Sequence, residues 1–105
     1  MAIIGIDLGT TNSLVCVFKE GYTALIPNSF GKTLTPSAVS VGEDGSIYVG
    51  AVAKERLVTH PEATAASFKR YMGTGKVFEL SGRKFTPQEL SAFVLRQLKE
   101  DAERF

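Results

Sequence analysis

An α/β fold is expected for this chain of 105 residues, on three observations. From Ala2 to Ile26, short β-branched apolar runs are punctuated by glycine, which is the pattern of strands and tight turns. At the other end, Thr86-Pro87-Gln88-Glu89 opens a helix. Over its whole length the chain holds 44% hydrophobic residues, enough for one small domain that buries roughly two-thirds of its unfolded surface. There is no linker-like or low-complexity stretch and no solenoid repeat.

The elements follow in order. Three strands are predicted at Ile3–Asp7, Ser13–Lys19 and Tyr22–Ile26, with Leu8–Asn12 and Glu20-Gly21 as the turns. A loop over Pro27–Pro36 leads to a second strand pair, Ser37–Val41 and Ser46–Val49, joined through Glu43-Asp44-Gly45. The run AVAKERLVTH reads as a short helix stopped by Pro61, and ATAASFKRYMG as another helical turn ending at Gly73. Two brief strands are expected at Val77–Leu80 and Arg83–Phe85. The last helix has the strongest start signal, an N-cap threonine, proline at the first position and glutamate at the third. Leu90, Phe93, Val94, Leu98, Ala102 and Phe105 then form an apolar stripe. The stripe runs to Phe105 without a stop signal, which leads us to expect a piece of a longer chain.

Composition narrows the function. Twelve basic residues against eleven acidic leave a net charge of +1, too little basic excess for a counterion-driven nucleic-acid groove. The tyrosines and phenylalanines do not alternate with basic residues as a base-stacking platform would. One cysteine, Cys16, and one histidine, His60, exclude an internal disulfide, a zinc module and a histidine-based catalytic triad. No run approaches the ~20 apolar residues of a membrane span, and the N-terminus lacks a signal pattern. A soluble cytoplasmic protein is therefore expected.

The most informative stretch is IIGIDLGTTNS, Ile3 to Ser13. A strand ends in Asp7, Gly9 gives backbone freedom, and Thr10 and Thr11 add hydroxyls beside a row of backbone amides, equipment suited to a phosphate. The residues after the turn read as strand, so this anion site would lack a helix dipole. A carboxylate beside a polyphosphate needs a cation between them, which points to magnesium reached directly or through water. The alternative is that Asp7 accepts hydrogen bonds from the turn and the threonines merely fill it. Gly31-Lys32-Thr33 imitates the end of a Walker A loop, but Ile26 occupies the position of its first glycine. Lys69 and Arg70 lie beside an apolar patch, where a lysine can serve a terminal phosphate or a helix face can simply be solvated. Cys16 suits the sheet, and His60 a helix end.

GIDLGTTNS at 5–13, IPNSFGKTLTPSAV at 26–39 and FKRYMG at 68–73, in that order, resemble the start of the ATPase domain of the seventy-kilodalton heat-shock proteins, the DnaK family. The likeness continues through TPQELSAFVLRQLKEDAERF, and LIPNSFGKTLTPS with HPEATAASFKRYMG is most similar to the HscC-type branch. The resemblance implies the actin-like, ribonuclease-H-like α/β fold, N-terminal portion of lobe I only. Residues 1–34 would begin subdomain IA and 35–105 would form most of subdomain IB. It implies ATP or ADP and Mg2+ as ligands of the intact domain. Gly9, Thr10, Thr11 and Asn12 match the first phosphate loop, although the family often has an aromatic residue at the place of Asn12. Asp7 matches the acid near the metal, acting through its water shell, and Lys69 matches the lysine needed for hydrolysis. The implied function is that of a stress-response chaperone coupling ATP hydrolysis to the binding and folding of client polypeptides, with co-chaperones as partners. The second phosphate loop, adenosine pocket and peptide-binding domain would lie past Phe105, so the isolated chain is expected to be inactive and prone to self-association. Two rival readings are an actin-like sugar kinase and a stand-alone interaction module without nucleotide turnover.

Overall fold

Strand pairing begins at the start of the described residues, 3–105 of the computed structural model; residues 1 and 2, where the first predicted unit begins, lie outside them. β1 (Ile3–Leu8), β2 (Asn12–Lys19) and β3 (Tyr22–Leu25) form an antiparallel meander in that order. Their ends differ by one residue from the sequence pattern because pairing sets them: Leu8 pairs with Ser13 and Cys16 with Leu25. Lys19 pairs with Tyr22, leaving only Glu20 and Gly21 in the turn. Both have positive φ, 45° and 86°, the primed-turn geometry whose twist suits a two-residue hairpin.

Alternation along β2 separates the faces of this sheet. Ser13, Val15 and Val17 point inward and are buried, while Leu14, Cys16 and Phe18 point outward. Pairing adds Ile3 and Leu25 to the outer face, opposite Phe18 and Cys16.

The loop after β3 is organised by Asn28. Its carboxamide oxygen accepts from the backbone amides of Phe30 and Lys32, at 2.9 and 3.1 Å. Its amide donates to the Leu34 carbonyl and the Thr35 hydroxyl. The loop then ends in an unpredicted strand, β4 (Thr35–Pro36), which pairs with Asn12 and Ser13 of β2.

A second sheet, in the order β6–β5–β7, follows. β5 (Ala38–Val41) is its centre and is buried along its whole length. β6 (Ile47–Val49) lies on one side, after a hairpin in which Asp44 accepts from the Ser46 amide at 3.0 Å and its hydroxyl at 2.9 Å. These hydrogen bonds, the backbone one foremost, hold the Asp44 carboxyl below the ordinary value of 3.8. β7 (Thr64–Ala66) lies on the other side, with Ala38, Val39 and Ser40 opposite Ala66, Ala65 and Thr64. Here the helical reading of residues 63–73 fails. Three alanines among residues 63–66 favour a helix locally, but their small side chains fit against the buried β5, and the ladder overrides propensity. Only Phe68–Tyr71 is helical, as one 3₁₀ turn.

The helix α1 (Ala51–Thr59) packs on this sheet and ends before Pro61, as expected. β8 (Phe78–Leu80) and β9 (Arg83–Phe85) form a separate hairpin. In α2 (Pro87–Arg104), both halves of the Thr86–Glu89 capping box are formed. This helix packs across β1, β2, β5 and β6. Its Leu90, Val94 and Leu98 join Val15 and Val17 of the first sheet, Val39 and Val41 of the second and Phe68 of the 3₁₀ turn in one core. The stripe departs from expectation in its last turn. Phe105 is 66% exposed, while Asp101 is buried. Asp101 accepts from Gln97 and pairs with Arg104 through Oδ1, while its Oδ2 has no partner among the described residues.

Candidate functional site

The turn between β1 and β2 is closed by a contact that only glycine permits. A Cβ on Gly9 would lie 2.2 Å from the Asn12 carbonyl oxygen, well inside contact distance. Gly9 is therefore required by close approach. Positive φ, the other reason for glycine, is absent at this position.

Three carbonyls around the turn are tied back into the protein. Gly9 O accepts from the Ser37 hydroxyl at 2.8 Å, Thr11 O accepts from the Ser37 amide at 2.9 Å, and Leu8 O accepts from the Lys69 ammonium. In a trans peptide the carbonyl of one residue and the amide of the next point opposite ways. The amides of Gly9, Thr10 and Asn12 are thus turned away from these anchors. The turn carries donors on one side and is held from the other.

Lys69 reaches this turn from 61 positions away in sequence. Phe68 explains how. Its side chain is 1% exposed and sits in the core, so the 3₁₀ turn is pinned by one residue and presents the next to β1. Ser67, at φ 55°, makes the left-handed bend from β7 into that turn. The exposed Lys69 is not ion-paired, since the Arg104–Asp101 pair is the only salt bridge among the described residues.

The predicted site residues thus gather at one end of the first sheet. Gly9, Thr10, Thr11 and Asn12 form the turn with Lys69 against its base. Asp7, one residue before the end of β1, lies on the outer face, exposed and opposite Leu14. A single exposed carboxylate cannot cage a cation, and the described residues contain no cluster of three potential metal ligands. This donor set suits a magnesium ion carried by a polyphosphate and touched through water. Arg70 is exposed, and the Lys32 loop is folded around Asn28. Cys16 is half-buried on the outer face, and His60 caps α1 with Nδ1 2.8 Å from the Thr59 hydroxyl.

Sequence reasoning missed three contributors. Ser13 and Ser37 brace the turn from beneath, and Lys54 of α1 lines a cavity of about 160 Å³ with Thr10, Thr11, Ser37 and Ser67. The only signal available was a pair of serines embedded in apolar segments. Polar groups at such positions need an internal partner.

The family whose model matches residues 3–105 carries the actin-like ATPase fold, of which this chain forms part of lobe I. The family model described as Hsp70 protein matches residues 3–105, and the chain belongs to that family. Among curated relatives, the "Chaperone protein DnaK" of Endomicrobium trichonymphae is 48% identical over 107 aligned positions. That alignment covers 98% of this chain and 17% of the relative's length.

Proposed function

We propose that the chain is the first-phosphate-loop part of an ATP-binding, ATP-hydrolysing molecular chaperone whose nucleotide state governs the binding and folding of client polypeptides. The observation that carries this reading is the contact between the Lys69 ammonium and the Leu8 carbonyl, at the base of a turn that only glycine can close. Gly9, Thr10, Thr11 and Asn12 bind phosphate through amides and hydroxyls. Lys69, exposed and on a long stem, leaves the carbonyl for the more strongly attracting terminal phosphate and acts there as the catalytic cation. Asp7 is the residue that would hold Mg2+, through the ion's water shell. When bound, that ion neutralises phosphate charge.

The same reading assigns residues 1–34 to the start of subdomain IA and 35–105 to most of subdomain IB; β4, at residues 35–36, pairs with the first sheet and joins the two. The parent protein works in the cytoplasm with clients and co-chaperones, without nucleic acid or membrane. Among the described residues no helix is long and apolar enough to cross a membrane. Membership of the HscC-type branch rests on the two segments LIPNSFGKTLTPS and HPEATAASFKRYMG alone. The family match does not favour the sugar-kinase or interaction-module alternatives.

Two-dimensional amide spectra titrated with ADP and magnesium test the site. Shifts centred on Gly9–Asn12 and Lys69 are expected, weak in affinity because the opposite wall of the site is missing. A spectrum unmoved at millimolar nucleotide overturns the proposal. Phosphate release by the isolated chain should stay at background.

A further inference from the structure

Ser13 and Ser37 are buried, at 1% and 3% exposure, and the reading above gives them no role. Their hydroxyls lie 2.9 Å apart, and the Ser37 hydroxyl also lies 2.8 Å from the Gly9 carbonyl. A serine hydroxyl has one proton to donate. If Ser37 gives its proton to Gly9 O, only Ser13 can donate between the two serines. The bonds therefore run in one direction, from Ser13 Oγ to Ser37 Oγ to Gly9 O, each polarising the next.

We infer that Ser37 is a positioning residue for the phosphate loop, and that Ser13 orients it. Ser37 grips the loop twice, through its hydroxyl on Gly9 O and its amide on Thr11 O. Those two bonds fix the peptide planes whose far sides carry the Thr10 and Asn12 amides. Ser37 sits between β4, paired with the first sheet, and β5, the centre of the second. Lys69 follows β7, which pairs with β5. The second sheet thus sets both the angle of the loop and the reach of the lysine. Gly9 bends the turn, and Ser37 decides where its amides point.

This inference rests on the phosphate-loop reading, so its test separates the two. The probe is inorganic pyrophosphate with magnesium, titrated into the whole chain and followed by the amide shifts of Gly9–Asn12. Ser37→Ala should weaken the fitted affinity about tenfold or more, since small misplacements of aligned groups are costly, and should speed amide exchange across Gly9–Asn12. Ser37→Thr, which keeps the hydroxyl, should recover most of the affinity. Ser13→Ala leaves the Ser37–Gly9 bond in place and should give a smaller loss, which keeps the test open if Ser37→Ala folds poorly. Ser40→Ala removes an equally buried hydroxyl from β5 and should leave affinity unchanged.

If the parent chain binds pyrophosphate and both Ser37→Ala and Ser13→Ala bind it equally well, the positioning role is overturned while the loop reading stands. Losses in Ser40→Ala as large as in Ser37→Ala also overturn it, because general destabilisation would then be the cause. If the unsubstituted chain does not bind pyrophosphate, the phosphate-loop reading falls and the positioning role falls with it.

Discussion

β1 and β5 are both short and apolar, yet they have opposite fates. Every residue of β5 is buried, with Val39 and Val41 at 0% exposure, while Ile3, Ile4 and Ile6 of β1 stand 64%, 44% and 39% exposed. β5 has a strand on each side and helices packed on its sheet. Among the described residues β1 has a partner on one edge only, and Ile3, Phe18 and Leu25 make its sheet's outer face an open apolar surface. The comparison teaches that hydrophobicity alone does not place a strand in a core. Coverage does: β5 has a strand on both edges and helices on its sheet, whereas the first sheet is covered by α2 on its inner face and left open on its outer one.

The largest effect should come from breaking the well-covered side. Phe68→Ala empties a site in the shared core and should cost about 3–5 kcal/mol, read as a lowered urea midpoint. The same substitution releases the 3₁₀ turn, so the contact from Lys69 to Leu8 should be lost with it. A midpoint unchanged by this variant would show that the second region is held together elsewhere.

The open side should respond differently. Phe18 is 45% exposed, and Phe18→Lys should alter folding stability by no more than about 1 kcal/mol. It should also weaken self-association, because an uncovered apolar face beside an unpaired strand edge favours pairing between copies. Sedimentation at rising concentration reads this directly. A parent chain that stays monomeric throughout would remove the contrast between the faces.

The smallest effect belongs to the β5–β6 hairpin. Asp44 has a folded-state pKa below its unfolded one, so its stabilisation is present above the unfolded value. It is lost as pH falls through the folded value. Acid unfolding of Asp44→Ala should therefore run parallel to that of the parent chain above pH 3.8, with a shallower decline below it. Identical acid limbs would show that the Ser46 hydrogen bonds do not persist in solution.

Much of this architecture was legible from local chemistry. Glu20-Gly21 announced the hairpin, Thr86-Pro87 with Glu89 announced α2, and Pro61 marked the end of α1. The site was legible in part, since Asp7, Gly9, Thr10, Thr11, Asn12 and Lys69 all lie at one end of the first sheet. The misreadings share a cause. Thr64–Ala66 looked helical because alanine favours helices, but a strand was waiting beside it. Phe105 looked buried because the stripe was extended by period, while the final turn buries Asp101 and leaves Phe105 to solvent. Ser13 and Ser37 carried only the weak signal of serines in apolar segments, because each becomes informative only beside the other.

The sequence by itself determined the hairpin turns, the start of α2, the extents of seven of the nine strands to within a residue and the glycine that closes the β1–β2 turn. These depend on φ preferences, side-chain alternation and hydrogen bonds between residues a few positions apart. Tertiary structure alone decided that β7 is a strand, that Lys69 meets Leu8, and that the two serines brace the turn. Each of those depends on partners tens of residues away, and a side chain's own chemistry does not specify which distant backbone will satisfy it.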